Sequence, residues 1–294
     1  MLEKNPGLEE SLAGVLNLDM VGADLERTGG CLSVVGFPFY SPSYVPLLTA
    51  RLLEAASARQ ESFGGSRVGR WAVNYTPFSG GSDHAVFADP AVGVPQAMVG
   101  EWPDLFYHSD MDSPQNLSAE RLGAVASAAA AAVLSLSCED LARVVEAEAL
   151  ARGAREASGP DEWRASASPR AYSGAVRTLE RVGVRARPGP VEEALSRLAP
   201  EAPAAESGGP RFERRLRSPP DYEALLKSVP EERAIAYLTE PRLRRLAYHV
   251  CSALALEGDA LSAYPLVRAE VECSEEEVVR VAEDLEAAGW VSRV

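Results

Sequence analysis

Apolar residues fall into two regimes along this chain. Up to about residue 138, short continuous apolar runs alternate with stretches of helical periodicity. Residues 14–21 form a run broken only by Asn17 and Asp19, the pattern of a buried strand. Residues 31–37 predict a second strand, ended by Gly36 and Pro38. The spacing of Leu47, Leu48, Leu52, Leu53 and Ala56 predicts a helix over 44–59. Residues 73–81 read as a loop or short strand, and 83–88 as a short helix capped by Ser82. A short apolar run at 96–99 leads into a loop carrying His108. Ser118 then opens an Ala-rich helix that continues to Leu136, with Glu120 in its first turn. Strands alternating with helices predict an α/β sheet, and such sheets bind ligands at the carboxyl ends of their strands.

Beyond Cys138 the pattern becomes helical and punctuated. Residues 139–156 predict a charged, Ala-rich helix. Residues 157–220 hold three Pro/Gly-marked segments around Gly159-Pro160, Pro188-Gly189-Pro190 and 200–210, the last with the composition of a linker. Helices are predicted at 241–256, 260–269 and 275–288, with Gly289 closing the last and a strand starting at Trp290-Val291. Ser274 followed by Glu275, Glu276 and Glu277 places a cap and negative charge where the helix dipole favours them. The order of elements predicts a winged-helix-like module. Its would-be reading helix is acidic, with Arg280 its one basic residue, so phosphates would be repelled and nucleic acid is not an expected partner. The division expected is therefore 1–138 (α/β), 139–231 (helical and Pro/Gly-rich connection) and 232–294 (the winged-helix-like module).

Composition narrows the function classes. A chain of 294 residues has room for two domains, and 46% hydrophobic residues suffice for a real core. The net charge of −14 disfavours nucleic acid and anionic membrane as partners. Four scattered cysteines, without a C-x-x-C pair, read as free thiols, and the expected location is cytoplasmic. The most apolar run, 124–136, is too short to span a membrane. Arg211, Arg214, Arg215 and Arg217 form a basic run in an acidic chain, read as a solvated face or as a contact for an anionic partner.

Candidate chemistry concentrates in three segments: Asn17-Leu18-Asp19-Met20, then Gly80-Gly81-Ser82-Asp83-His84-Ala85-Val86-Phe87, then Phe106-Tyr107-His108-Ser109-Asp110-Met111-Asp112. Two of the chain's three histidines lie there. A buried strand has no structural use for an ionised Asp, whose desolvation costs several kcal/mol unless it is partnered. In order and wording the three segments resemble the second half of the co-catalytic di-zinc aminopeptidase family, which includes carboxypeptidases, glutaminyl cyclases and transferrin-receptor ectodomains. The resemblance covers about residues 14–136. It implies a zinc-aminopeptidase-like mixed sheet with flanking helices and a site for two zinc ions. Asp19 and His108 would be metal ligands, and Tyr107 a hydrogen-bond donor to the tetrahedral oxyanion. Asp83 and His84 would support the site from behind, without touching metal.

The family also uses an H-x-D motif, a Glu general base and a further Glu ligand ahead of the N-x-D-M strand. The eighteen residues before Asp19 contain no His, and Glu9-Glu10 read as the end of a helix over 8–12. The expectation is the carboxyl-terminal part of a zinc aminopeptidase, acting on the amino terminus of peptides when complete and inactive alone; any turnover by this chain would need a base among Glu9, Glu10, Asp83 and Glu101. Two rivals remain: a non-catalytic scaffold or binding protein of the same fold, and a winged-helix regulator. A homo-oligomer through the carboxyl-terminal module is a further expectation. Asp104, Asp110 and Asp112 read as turn-forming loop carboxylates, with Asp112 also placed to orient the His108 loop, and His249 as a surface or core residue of its helix.

Overall fold

The computed structural model describes residues 5, 7–57, 71–205, 208–217 and 219–294. A four-residue helix α1 (Leu8–Ser11) precedes β1 (Val15–Leu18), α2 (Leu25–Thr28), β2 (Cys31–Val35), α3 (Val45–Ser57), β3 (Val73–Thr76), α4 (His84–Ala88) and β4 (Gln96–Trp102). The four strands form one sheet in the order β1-β4-β2-β3. Val15 to Leu18 run parallel to Gln96 to Val99, β2 runs parallel to β3, and β4 is antiparallel to β2. The sheet is therefore mixed. The carboxyl ends of β1 and β4 share one end of it with the amino ends of β2 and β3.

The strand over Val15–Leu18, expected to be buried, is an edge. None of its residues is fully covered, and Leu18 is 41% exposed. Its apolar run suits a strand flanked on both sides, whereas among the described residues only β4 pairs with it.

The helix predicted over 44–59 is α3, whose Leu47, Leu48 and Leu53 are buried; residues 58 and 59 lie outside the described set. After the loop that follows β4 comes α5 (Ala119–Ser135), started where expected, by Ser118 accepting the Arg121 N–H. Next are α6 (Leu141–Ala157), α7 (Glu162–Arg177) and α8 (Pro188–Ser196). These three helices share a core with the sheet side, where Phe37, Tyr44 and Leu47 meet Val145, Tyr172 and Leu195. Close approach among them requires Gly153, because a Cβ there would lie 2.5 Å from Leu195 Cδ1 and 3.1 Å from Tyr172 Cγ. Pro188-Gly189-Pro190, read as chain punctuation, instead opens α8. Proline is tolerated in a first helical turn because its missing N–H has no intrahelical acceptor there.

The carboxyl-terminal part comprises β5 (Phe212–Arg214), α9 (Tyr222–Ser228), α10 (Glu231–Thr239), α11 (Pro241–Glu257), α12 (Ala260–Arg268), α13 (Glu275–Ala287) and β6 (Val291–Arg293). The Ser274 cap is a full capping box with Glu277. Gly289, at φ 82°, turns the chain into β6, which pairs antiparallel with β5. One core joins Phe212, Leu225, Leu246, Val278, Leu285 and Trp290. It takes in residues on both sides of position 232.

This part is seated on the sheet-bearing part by buried polar contacts. Arg214 donates to Asp89 at 2.8 Å, with the two side chains 7% and 0% exposed. The Tyr248 hydroxyl donates to the Ala85 carbonyl at 2.8 Å, and Tyr40 and His249 Nδ1 are 2.7 Å apart. Glu270 accepts the Phe39 N–H at 2.6 Å and lies 3.5 Å from Arg164. The basic run thus has structural partners: Arg214 holds Asp89, and Arg217 donates to Glu9 and the Ala91 carbonyl. Among the described residues, no helix is long and apolar enough to cross a membrane.

Candidate functional site

Asp19 lies one residue past β1. Its N–H donates to the Val99 carbonyl at 3.0 Å, so it is still aligned with β4. Met20 then takes a φ of 58° and breaks the strand, while its carbonyl accepts the Glu101 N–H at 3.0 Å. Gly100 makes this crossing possible, since a Cβ there would sit 2.8 Å from the Asp19 carbonyl oxygen. The turn that follows is capped by Glu101, whose buried carboxylate accepts the Ala23 N–H at 2.5 Å. Burial is the largest influence on that carboxyl and raises its pKa, with the Ala23 and Gly22 amides and Arg121 opposing.

His108 lies in the loop after β4. It has a φ of 54°, and it and Met20 are the only non-glycine residues at positive φ among the described residues. A non-glycine residue in this region carries backbone strain of about 1–3 kcal/mol, and such residues cluster at functional sites. The loop is a series of turns: Asp104 accepts the Phe106 N–H at 2.7 Å, Leu105 donates to the Thr28 carbonyl, and Asn116 reaches the Met111 carbonyl at 2.9 Å. The His108 ring stacks on Tyr107 at 3.7 Å, and Tyr107 meets Trp102 edge-on at 5.1 Å. Both site residues are exposed, Tyr107 by 43%. Among the described residues the Tyr107 hydroxyl and the His108 ring nitrogens make no hydrogen bond.

His84 behaves differently. It is fully buried, its Nε2 lies 2.8 Å from the Ser79 carbonyl, and Phe78 meets its ring edge-on at 5.5 Å. Because a carbonyl only accepts, the network assigns the proton to Nε2 and leaves Nδ1 as an acceptor. Burial lowers the His84 pKa, against the opposing fields of the Ser79 carbonyl, Asp19 and Asp83. Asp19 and His84 are therefore close enough to feel each other's charge. Asp83 is exposed and begins α4 without a side-chain cap bond. Ser82, expected to cap that helix, accepts a 2.7 Å bond from Asn17 instead, which ties the second motif to the first.

Asp19 lies one residue beyond β1 and His108 six residues beyond β4, and these two paired parallel strands end at the same end of the sheet. The described residues contain no group of three or more His, Cys, Asp or Glu side chains that could hold a metal ion. A catalytic zinc needs about three protein ligands, so this donor set does not by itself fit zinc. Of the carboxylates weighed as a base, Glu9 is engaged by Arg217 and Glu101 by the Ala23 amide.

Two strongly shifted ionisable groups lie elsewhere. His249 is fully buried and held near 3 by desolvation, with Arg245 and Arg164 adding to the effect, and desolvation raises Glu270 to about 7. Neither carries a sequence motif. The one signal for Glu270 is its place beside an apolar helix end, which does not distinguish it from a surface Glu. No protein-family model matches the chain, and no curated protein or solved structure matches it either.

Proposed function

We propose that this chain is the carboxyl-terminal part of a zinc-aminopeptidase-like fold, contributing Asp19 and His108 to a two-zinc site and Tyr107 as an oxyanion donor. Further ligands and the general base come from another polypeptide segment, and the chain alone does not hydrolyse peptides. The reading is supported by one observation above the rest: Asp19 and His108 follow paired parallel strands at the same sheet end, and the two non-glycine positive-φ residues among the described residues, Met20 and His108, fall in the segments that follow those strands. Because two side chains do not make a zinc site, no reaction step is assigned to this chain.

The test is metal content after zinc loading and dialysis, together with turnover of aminoacyl amides. Weak zinc binding below one ion per chain is expected, reduced by Asp19→Asn and by His108→Ala, with no turnover. Retention of two zinc ions would refute the claim of incompleteness. Zinc binding indifferent to both substitutions would refute the assignment of the ligands.

A second reading, a peptide-binding scaffold without hydrolysis, is supported by the exposed side chains around His108: Trp102 at 56%, Leu105 at 76% and Met111 at 60%. Metal-independent peptide binding lost in Trp102→Ala would favour it.

A further inference from the structure

The chain between β4 and α5 leaves large apolar side chains in solvent. Trp102, Leu105, Tyr107 and Met111 are exposed, and so are Leu117 by 52% and Leu122 by 44%. They are ranged around one turn. Leu105 donates its N–H to the Thr28 carbonyl and lies beside Gly29, Leu117 bridges Ala23, and Leu122 lies against Gly22. Apolar side chains gathered on a surface in this way mark an interaction site, whereas scattered ones do not. The segment is also held in shape before any partner arrives. Asp104 and Asn116 brace its turns, and Tyr107 touches both Trp102 and the His108 ring. Binding here therefore carries little ordering cost on the side of this chain.

Charge decides which partner fits. Residues 102–122 carry four carboxylates, Asp104, Asp110, Asp112 and Glu120, and one basic residue, Arg121. Their net charge is −3 over 21 residues, against −14 over 294, so negative charge is concentrated in this segment. The Arg121 guanidinium is already engaged, lying over Trp71 and attracting the buried Glu101 carboxylate. Asp110 and Asp112 are exposed, and among the described residues their carboxylates have no hydrogen-bond or ion-pair partner. The faces of exposed Trp and Tyr rings attract ammonium and guanidinium groups as well.

Resting on the peptide-binding reading, and not on zinc, we propose that this loop takes a peptide segment in which Lys or Arg is interleaved with large apolar residues. The cations of the peptide lie over Trp102 and Tyr107 and against Asp110 and Asp112. Its apolar side chains cover Leu105, Met111 and Leu117. A second copy of the chain would set one concentration of negative charge against another, and an anionic bilayer would be repelled in the same way.

The experiment uses the full chain at about 0.15 M salt, with a chelator present so that no metal contributes. Three fluorescein-labelled peptides of equal length carry the same leucine and phenylalanine residues, interleaved with lysine, serine or glutamate. Fluorescence anisotropy should show the lysine peptide bound, the serine peptide weaker by at least about fivefold, and the glutamate peptide unbound. Trp102→Ala should weaken the lysine peptide by at least about fivefold. Asp110→Asn with Asp112→Asn should weaken it by about threefold or more, with circular dichroism unchanged in both variants. Glu231→Gln with Glu232→Gln removes the same charge from exposed positions on α10 and should leave binding unchanged. A serine peptide bound as tightly as the lysine peptide would overturn the charge assignment and leave the peptide-binding reading in place. No binding of any of the three would overturn both. Binding indifferent to Trp102→Ala, or weakened equally by the two double substitutions, would overturn the proposal by showing attraction to the net charge of the chain and not to this loop. A dimer in sedimentation that Trp102→Ala dissociates, or flotation with zwitterionic vesicles that the same substitution abolishes, would overturn it by giving the patch another occupant.

Discussion

Glu270 offers a quantitative test of how the carboxyl-terminal part is seated. Its side chain is 1% exposed, accepts the Phe39 amide and faces Arg164, whose guanidinium also serves Glu156 at 2.9 Å. With Arg164 shared, desolvation outweighs attraction, and the carboxyl is raised from 4.5 to about 7. At about 1.4 kcal/mol per pKa unit, a rise of this size corresponds to about 3 kcal/mol. The sign follows from proton counting. Between pH 4.5 and 7 the folded chain keeps a proton that the unfolded chain has lost, so stability attributable to Glu270 is present below pH 4.5 and falls as pH rises to 7. Glu270→Gln keeps an acceptor for the Phe39 amide and titrates nothing. The stability of the variant relative to the unaltered chain should therefore climb by about 3 kcal/mol across that window and level off above it. Urea unfolding at several pH values between 4.5 and 8, followed by circular dichroism, measures the difference. Taking the difference also removes His249, whose contribution runs the opposite way over part of the range. A difference that stays flat, or that falls with pH, would refute the argument that burial governs this carboxyl.

Two further predictions concern the same seam. His249, held near 3 against an ordinary 6.5, stays neutral when the unfolded chain is protonated, so stability is lost as pH falls below 6.5, by about 2 kcal/mol at pH 5; His249→Gln should remove that loss in urea titrations, and an unchanged acid slope would show that the ring is not the cause. Arg214→Ala would strand the fully buried Asp89 and should cost about 3–5 kcal/mol of unfolding free energy, with Asp89→Asn in the same chain recovering part of it; an Arg214→Ala chain as stable as the parent would contradict the buried pair.

Features encoded locally were legible in the sequence. The Ser118 and Ser274 caps, the apolar face of α3 and the left-handed Gly289 depend on residues within a few positions of one another, and the structure has them where the spacing put them. What depended on distant neighbours was not legible. A buried apolar strand and an edge strand can share one sequence pattern, because the pattern records the side chains and not the strand alongside, and β1 fell on the wrong side of that ambiguity. Arg214 lay in a run that read as solvated, yet its carboxylate partner is 125 residues away and nothing local marks either of them. Asp19 and His108 follow two paired parallel strands that end at the same end of the sheet, and the contact of Asn17 with Ser82 links the first two motifs. The exposure of the His108 loop and the stacking of Tyr107 on His108 are products of packing and carry no signature in residue spacing.

The seating of α11 also bears on how such a protein can change over evolutionary time. Tyr248 of α11 bonds to Ala85 and stacks on Phe78, on the helix and loop that hold His84, while Asp89, just beyond that helix, answers to Arg214. A recombination event that replaced everything from β5 onward with an unrelated unit would leave Asp89 buried without its cation and would remove the cover from α4. Descent by shuffling at that junction is thereby penalised, and the unit of inheritance becomes the assembled chain, in which substitutions on the two sides of the seam must arrive in matched pairs.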